Sequence, residues 1–432
     1  MSQTTRRDML KFLGGAALAS TGLLGKSAFA ADKAKIVIIG GGIGGITTAK
    51  YLRMINKDVK ITVVEPNSEY IFCPGSNEVL LGDPIADFIR TYDHPRKRYN
   101  FDMVADKVAS IDYAKKSIKT AGGTTLPYDS LVISPGPTFV FDDIEGYSQG
   151  LAETKILHAW KAGKQTTMLR DQIRAMPQGG TMVIATPSMP FRCPPAPYER
   201  ASFLAGWMEK HNPKAKIIIL DKNPGFIFQI QYTKYWKDNF GFGTDKARIE
   251  RISSQEGGAV AKVDAKNMTV TNAHGDTIKA DVINIIPTNQ PNELTVKSGL
   301  KKVDFGIEVN HHDMSIDGHP DVYLIGDSAD FLVKTGYLAA NQAKVVAQAI
   351  DDRLHGKSPG QPIYTNNCVA KASKDNFGMS ITDTFRERDG KLLLAQTVQD
   401  PFPEEIDNPF LHHIRAAVSD NWQRSFRRAV FD

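Results

Sequence analysis

Short apolar runs separated by turn residues set the hydrophobic pattern of this chain. The first run, Lys35 to Ile39, is rich in β-branched residues and leads into the glycine-rich turn Gly40 to Gly45. We predict a helix from Ile46 to Met54 and a second strand from Val59 to Glu65. Continuous β-branched runs are typical of strands that are buried on both faces of a parallel sheet. The pattern therefore predicts a strand, turn, helix and strand in that order.

The glycines of this turn indicate nucleotide binding. Gly40, Gly42 and Gly45 occupy the three positions of a G-x-G-x-x-G motif. In that motif they permit a tight turn, close approach to a pyrophosphate, and close packing of helix on strand. Glu65 ends the second strand, 20 positions after Gly45, where a carboxylate accepts hydrogen bonds from ribose hydroxyls. A dinucleotide-binding domain is predicted, and the motif alone leaves both NAD and FAD open.

Two further apolar runs, Thr181–Ala185 and Lys216–Asp221, predict a second α/β region. An NADH-using domain would carry another glycine-rich phosphate loop after the first of these strands. Instead the segment 186–199 is rich in proline and contains a cysteine. Proline lacks the N–H donor and the positive φ that a phosphate loop uses. We therefore predict that NAD(P)H binding is lost.

The N-terminus predicts export. Arg6 and Arg7 precede a modest apolar stretch that ends in an A-x-A-like sequence at Ala30, which is typical of a twin-arginine signal peptide over residues 1–30. Proteins that take this route fold and bind their cofactor before export, so a redox enzyme of the bacterial periplasm is expected. The first 30 positions hold four basic residues and one acidic residue, which leaves about +2 of the formal +5 charge. This balance gives no reason to expect nucleic acid as a partner.

Three cysteines, Cys73, Cys193 and Cys368, lie far apart in the sequence. In an oxidising compartment two can form a disulfide, and the third must be shielded, reactive or chemically capped. One interpretation is a structural bridge plus a buried thiol. The other is a redox-active disulfide beside a flavin, together with a cysteine that anchors the cofactor. The chain has no C-x-x-C-H sequence, so any haem must be carried by another polypeptide.

Several segments, spread over most of the chain after residue 30, resemble one family, the flavoprotein subunits of flavocytochrome c sulfide dehydrogenase. These subunits are related to sulfide:quinone oxidoreductases and to glutathione-reductase-like flavoproteins. This resemblance is carried by Tyr70–Glu78, Arg192–Arg200, Gly326–Asp327 and Asn366–Cys368, together with the signal at residues 1–30. Leu126–Gly136 and Val322–Asp327 resemble FAD-domain segments of flavoproteins with two dinucleotide domains more generally, which favours FAD over NAD.

The resemblance implies a cofactor, a reaction and a partner. It implies FAD linked through a thioether to Cys73, a redox-active disulfide of Cys193 and Cys368, Glu199 as a proton acceptor, and a c-type cytochrome subunit. A surface carboxylate paired with Arg200 is the alternative for Glu199. The other residues implied to bind FAD are Gly136, Gly326, Asp327, and Ala339 and Gln342 of a helix whose N-terminus would face the flavin. No metal site is predicted.

The fold class that follows is α/β, with two Rossmann-like dinucleotide-binding-type domains and a C-terminal α+β interface domain, as in FAD/NAD-linked reductases. We expect a discontinuous FAD domain over 31–148 and 288–358. The second Rossmann-like domain is expected over 149–287 and the interface domain over 359–432.

Two other functions stay open. A sulfide:quinone oxidoreductase of this type would carry amphipathic anchoring helices near the C-terminus, and we expect Pro401, Pro403 and Pro409 to interrupt the only stretch long enough for one. An NADH-dependent disulfide or persulfide reductase would need the second phosphate loop. Sulfide oxidation with a cytochrome as electron acceptor is the function expected first, with no membrane anchor.

Overall fold

The computed structural model of the protein describes residues 33–401 and 405–432. Its helices are α1 Ile43–Ile55, α2 Glu78–Leu81, α3 Asp93–Tyr99, α4 Gln149–Thr154, α5 Lys164–Arg174, α6 Ala196–His211, α7 Gln229–Phe240, α8 Glu293–Lys297, α9 Gly336–Leu354 and α10 Pro409–Phe431. Its strands are β1 Ala34–Ile39, β2 Val59–Val64, β3 Glu69–Ile71, β4 Ile89–Thr91, β5 Asp102–Val104, β6 Val108–Asp112, β7 Ser117–Thr120, β8 Thr125–Pro127, β9 Ser130–Ile133, β10 Pro137–Val140, β11 Thr181–Thr186, β12 Lys216–Asp221, β13 Ile249–Ile252, β14 Val260–Asp264, β15 Thr269–Asn272, β16 Thr277–Lys279, β17 Val282–Ile285, β18 Thr288–Pro291, β19 Lys302–Val303, β20 Gly306–Ile307, β21 Ser315–Ile316, β22 His319–Leu324, β23 Ile363–Ser373, β24 Phe377–Arg388 and β25 Lys391–Asp400.

The first large sheet has the strand order β21-β22-β9-β1-β2-β5. β1 is parallel to β2 and β9, and β22 joins the far side of β9, also in parallel, from a distant part of the chain. The carboxyl ends of these strands therefore meet at one edge, where open α/β sheets bind their ligands. That edge carries the glycine turn, Glu65, Ser134 and Gly326.

Close backbone contacts explain the glycine turn. A Cβ on Gly45 would lie 1.9 Å from the carbonyl oxygen of Gly40, and Gly40 itself has φ +98° and backs onto the carbonyl of Ser134. A Cβ on Gly42 would meet nothing nearer than Tyr70 Cε2 at 3.6 Å. Gly40 and Gly45 are thus required by the chain itself, whereas Gly42 leaves room for a ligand. Helix α1 begins at Ile43, earlier than predicted, because this packing overrides the low helix propensity of glycine.

The second sheet, β13-β12-β11-β17, is parallel throughout. Two antiparallel strands, β10 and β18, pair where the chain passes between the two sheets. The mixed α/β fold class predicted from the sequence is confirmed.

The C-terminal part is an antiparallel sheet, β23-β24-β25, with α10 packed against β24. Here the expectation that prolines interrupt the stretch is wrong for Pro409, which starts α10 in the first turn, where a missing N–H costs no hydrogen bond. The helix runs for 23 residues and exposes Phe410, Ile414 and Val418 along one side.

The structure leaves two sequence-based expectations outside its reach. The expected leader, residues 1–30, lies outside the described residues, as does Pro403. Among the residues that are described, no helix has the combination of length and apolar character needed to cross a bilayer.

We predict that Gly45→Ala lowers the free energy of unfolding by about 2–3 kcal/mol, because the new methyl group collides with backbone that cannot move aside. Gly42→Ala is the matched control in the same turn, and its methyl group has ordinary contact distances. Denaturant unfolding of both variants tests this. Equal stabilities would contradict the assigned role of Gly45.

Candidate active site

A cavity of about 860 Å³ lies at the carboxyl edge of the first sheet and continues toward α6. This volume is within the range of small-molecule sites. Most of the residues that the sequence indicated for cofactor binding or catalysis line it: Gly40, Gly42, Glu65, Cys73, Gly136, Cys193, Glu199, Gly326, Asp327 and Ala339.

Two predicted cofactor residues do not line this cavity. Gly45 lies behind the glycine turn, against Gly40. Gln342 is buried in α9, and its Oε1 accepts a hydrogen bond of 2.8 Å from the N–H of Gly326. Both residues shape the wall of the cavity from behind. Glu65 lines the cavity and also accepts a 2.8 Å hydrogen bond from the N–H of Gly41, so it supports the glycine turn as well.

A second cavity of about 50 Å³ adjoins the first. Cys193 and Glu199 line both cavities, whereas Cys368 lines only the second and Cys73 only the first. All three cysteines are free thiols in the structure. The fold therefore brings Cys193 and Cys368, which are far apart in sequence, to the wall of one small chamber.

Aromatic side chains cover this small cavity. Tyr337 of α9 and Trp422 and Phe426 of α10 pack together with ring centroids 5.2–5.7 Å apart. All three line the second cavity. The space beside the two thiols is thus bounded by rings from two helices.

The backbone at Cys193 is held in an uncommon conformation. Its φ is +57°, in the left-handed region that residues other than glycine rarely adopt, and proline follows it. The N–H of Cys193 donates to the carbonyl of Lys334 at 2.8 Å, which fixes this conformation. Strained residues of this kind cluster at functional sites, where the surroundings hold them in place.

Burial keeps both thiols protonated. Desolvation raises the pKa of Cys193 to about 12, and the nearby Glu199 carboxylate adds to the shift. Desolvation also raises the pKa of Cys368 well above its ordinary value, with further contributions from Cys193 and Glu199. The guanidinium of Arg192 opposes the shift at Cys193. A negative charge on Cys193 is thus stabilised from one side.

Glu199 is a buried residue, only 7% exposed, so the alternative of a surface carboxylate is wrong. Its Oε2 accepts a 2.8 Å hydrogen bond from Asn77 Nδ2, and its Oε1 accepts one of 3.1 Å from the N–H of Lys371. Burial, as the largest cause, raises the pKa of Glu199 to about 7, against the effect of these two donors. A carboxyl group with this pKa can both take up and release a proton near neutral pH.

Arg200, next to Glu199, is fully enclosed and joins several segments. Its Nε donates to Asn77 Oδ1 at 3.2 Å, Nη1 donates to the carbonyl of His158 and to Asn284 Oδ1, and Nη2 donates to the carbonyl of Ala159. Burial lowers the pKa of Arg200 to about 10, so it stays charged. Arg200 lies in a segment that carries the family resemblance, but the sequence does not indicate its role in the site.

Arg192 was also missed. Its guanidinium lies 4.0 Å from Asp327 Oδ2 and donates from Nη2 to the carbonyl of Trp160 at 2.8 Å. It lines the first cavity beside Cys73 and Cys193. Its place directly before Cys193 was the available signal, but spacing alone could not show which way the side chain points.

Lys371 ties the site to the C-terminal part. Its side chain has no exposure, and Nζ lies 2.6 Å from Glu78 Oε1 and 2.5 Å from Asp420 Oδ1. Lys371 stands in β23 three positions after Cys368, Glu78 starts α2 after Cys73, and Asp420 is in α10. One buried ammonium therefore joins three segments that surround the cavities.

In the second sheet, the carboxylate that ends β12 is occupied by the chain itself. Asp221 is fully buried and accepts hydrogen bonds from Thr186 Oγ1 and Tyr198 Oη at 2.7 Å each and from Arg251 Nε at 2.8 Å. Tyr198 stacks on Phe226 with ring centroids 3.8 Å apart. Side chains of the protein itself thus occupy the hydrogen-bonding positions of the carboxylate at the end of β12.

The chain is similar to known families of redox flavoproteins. Residues 34–176 match the pyridine nucleotide-disulphide oxidoreductase family, and residues 166–287 match the central domain of the flavoprotein chain of sulfide dehydrogenase [flavocytochrome c]. The chain is 47% identical over 45 residues to the sulfide dehydrogenase [flavocytochrome c] flavoprotein chain of Chlorobaculum thiosulfatiphilum. This matched segment covers 10% of this chain and 94% of that sequence. The chain belongs to the family of sulfide:quinone oxidoreductases and flavocytochrome c sulfide dehydrogenase flavoproteins.

Relatives within this family match over longer stretches. The sulfide-quinone reductase of Aquifex aeolicus is 26% identical over 275 residues, which cover 62% of this chain and 61% of that protein. The crystal structure of the sulfide:quinone oxidoreductase from that organism superposes with a TM-score of 0.68 at 20% identity, covering 92% of each chain. The second comparison establishes the shared fold.

FAD is the cofactor expected for this family, and the first cavity fits it. The opening above Gly42 leaves backbone room for a pyrophosphate at the start of α1, where helix N–H groups favour an anion. Glu65 lines the cavity, where its carboxylate would accept hydrogen bonds from ribose hydroxyls, and Arg192 and Asp327 offer a cation and an acceptor farther along. The donor and acceptor groups therefore suit a flavin dinucleotide.

We predict that Lys371→Met lowers the free energy of unfolding by about 3–5 kcal/mol, since removal of the ammonium leaves two carboxylates without their buried partner. Lys374→Met is the matched control, because Lys374 makes a single, partly exposed pair with Asp83 and its loss costs about 0–1 kcal/mol. Chemical denaturation of both variants measures the difference. A Lys371 variant as stable as the control would contradict the role assigned to this group.

Proposed function

We propose that this chain is the flavoprotein subunit of a flavocytochrome c sulfide dehydrogenase, which oxidises sulfide to sulfur or polysulfide and passes the electrons to a c-type cytochrome subunit. The observation that carries the proposal is the placement of Cys193 and Cys368 at one chamber of about 50 Å³ beside the cofactor cavity. A chamber of this size suits an inorganic sulfur anion. The match over residues 166–287 and the 47% identical segment support the flavocytochrome branch.

The chemistry begins with Cys193 and Cys368 joined as a disulfide. Hydrosulfide attacks the sulfur of Cys368, a new S–S bond forms to give a persulfide, and the bond between the two cysteines breaks with Cys193 leaving as a thiolate. Cys193 is the better leaving thiol for geometric reasons, because it alone of the pair lines the cofactor cavity and has Arg192 nearby. The pair of electrons from sulfide then resides on Cys193.

Glu199 manages the proton in this step. It lines both cavities and, with a pKa of about 7, accepts the proton of the newly formed persulfide near neutral pH. FAD, when bound in the first cavity, supplies the acceptor for two electrons and the means to release them singly to a haem. Cys73 lines that cavity without reaching the second, which supports a thioether link to FAD rather than a part in the disulfide.

The internal hydrogen bonds of Asp221 argue against use of NADH. A carboxylate at the end of the second strand of such a domain commonly receives ribose hydroxyls. In this chain it already accepts from Thr186, Tyr198 and Arg251, and the turn after β11 contains prolines in place of glycines. This favours sulfide oxidation over an NADH-dependent disulfide or persulfide reductase.

A sulfide:quinone oxidoreductase is the second candidate. The observation in its favour is the exposed apolar row of α10, with Phe410 70%, Ile414 42% and Val418 56% exposed. Such a row suits either a lipid surface or a partner protein.

We propose that the chain acts in the periplasm after twin-arginine export, which makes a soluble cytochrome available as acceptor.

We predict that sulfide bleaches the flavin absorbance of the purified holoprotein in an anaerobic titration, and that NADH does not. Cys193→Ser and Cys368→Ser each abolish bleaching, because neither variant can form the disulfide. Cys73→Ser, which leaves the pair intact, is the control and keeps bleaching when it retains FAD. Bleaching that persists in the Cys193 and Cys368 variants would overturn the mechanism.

The same titration separates the two branches of the family. Reoxidation of the bleached flavin by a c-type cytochrome, and slow or no reoxidation by a short-chain quinone analogue, is expected. Rapid turnover with the quinone alone would favour the second candidate.

We predict that the yellow colour stays with the polypeptide after acid precipitation, because a thioether to Cys73 survives denaturation. Cys73→Ser releases its FAD into the supernatant under the same treatment. Peptide mass spectrometry of the wild-type protein would locate the flavin on the peptide that contains Cys73. Free FAD in the wild-type supernatant would exclude the covalent link and leave the disulfide chemistry unaffected.

A further inference from the structure

We propose that Asn77 is a positioning residue that holds the carboxylate of Glu199 between the two cavities and sets its proton affinity. The inference rests on the proposed function for the meaning of Glu199, and on contacts in the structure for the role of Asn77. Asn77 lies four positions after Cys73, in the turn that precedes α2.

Every hydrogen-bonding atom of the Asn77 side chain is directed at α6. Nδ2 donates to Glu199 Oε2 at 2.8 Å and to the carbonyl of Ala196 at 3.1 Å. Oδ1 accepts from Arg200 Nε at 3.2 Å. The residue is 5% exposed, so water does not compete for these bonds. An amide is the side chain that serves this position, because it offers a donor to the carboxylate and an acceptor to the guanidinium at the same time.

The two oxygens of Glu199 are each held by a donor from a different segment. The amide occupies Oε2, and the N–H of Lys371 occupies Oε1 from β23. Both contacts stabilise the ionised form of Glu199, whereas burial opposes it. Asn77 is therefore the side chain that keeps the carboxyl group ionisable near neutral pH.

Other charged or titratable groups also face Glu199, from the elements that pack around it. Glu78 in α2 disfavours its ionisation, and the ammonium of Lys371 in β23 favours it. Arg200 is its neighbour in α6, and Glu199 raises the pKa of the groups on the remaining sides, which are Cys193, Cys368 and Tyr232. Of these groups, only Arg200 is bonded to the side chain of Asn77, through Nε, and a variant that keeps an acceptor there leaves this contact in place.

Asn77→Asp is the informative variant. It keeps the shape of the side chain and the acceptor for Arg200, but it removes the donor and sets a second carboxylate against Glu199. A like charge at hydrogen-bonding distance disfavours ionisation, so the titration midpoint of Glu199 should rise by about one pH unit, a tenfold gain in proton affinity. Asn77→Ala removes both the donor to Glu199 and the acceptor for Arg200 without adding charge, and it should raise the midpoint by less.

The test follows alkylation of Cys193 and Cys368 by iodoacetamide in reduced holoprotein across pH 5–10, with each peptide quantified by mass spectrometry. Ionisation of Glu199 lowers the reactivity of both thiols, so the rate profile of the wild type should show an inflection near its midpoint. Glu199→Gln should remove this inflection and thereby assign it. The readout does not depend on activity with sulfide.

The matched control is Asn212→Asp at the other end of α6. Asn212 is equally buried and uses its amide for structure alone, bonding the N–H of Gly179 and the carbonyl of Pro177. The inflection in the rate profile of Asn212→Asp should stay at the pH found for the wild type. An upward shift in Asn77→Asp and a smaller one in Asn77→Ala support the proposal.

An unchanged inflection in either folded Asn77 variant would overturn it. Thermal unfolding shows whether each variant folds. If Asn77→Asp does not fold, the result for Asn77→Ala decides. The two proposals can fail separately. If sulfide does not bleach the flavin of the wild type but the inflection still shifts in the Asn77 variants, the proposed function is refuted and the role of Asn77 is retained.

Discussion

Two adjacent charged residues of α6, Glu199 and Arg200, are buried where the parts of the molecule meet, and the rest of the site depends on them. A buried charge costs several kcal/mol unless hydrogen bonds and an opposite charge compensate it. Glu199 finds its donors in the segment after Cys73 and in β23, and Arg200 finds its acceptors in the 158–159 loop and on β17. These segments must therefore converge on α6 for the chain to fold, and this convergence brings the three cysteines to the cavities.

The second sheet keeps the strand topology of a dinucleotide-binding domain but carries different residues at its carboxyl edge. Its parallel strands keep the topology of a dinucleotide domain, yet the position after β11 holds Cys193 on a proline-rich segment, and Asp221 is satisfied by Tyr198, Thr186 and Arg251. Since a buried carboxylate whose hydrogen bonds are already made gains little from a ligand, these internal contacts support the proposal that the second sheet does not bind a nucleotide. The segment after β11 is then free to carry a cysteine with φ +57° to the boundary between the cavities.

The sequence predicted what is local. The first strand, glycine turn, helix and second strand follow from residue types within thirty positions, and the mixed α/β fold class was correct. The chamber shared by Cys193 and Cys368 depends on contacts between distant segments, which periodicity does not encode, and only the family resemblance pointed to it. Asn77, Arg192 and Arg200 were missed for the same reason, since a polar residue gives no sign in the sequence of the distant segment that supplies its partner. Pro409 was misjudged because a proline stops a helix from within but starts one at its first turn.

The C-terminal part fixes the size of the small chamber. Trp422 and Phe426 reach it from α10, whose backbone approaches β24 so closely that a Cβ on Gly378 would lie 2.3 Å from the carbonyl carbon of Arg415. The ion pair of the buried Lys371 with the partly exposed Asp420 holds the same helix to the strand that carries Cys368. In a space of about 50 Å³, a shift of α10 by a fraction of an ångström changes what fits beside the thiols. The close glycine contact and this ion pair therefore limit the size of the small cavity beside the two thiols.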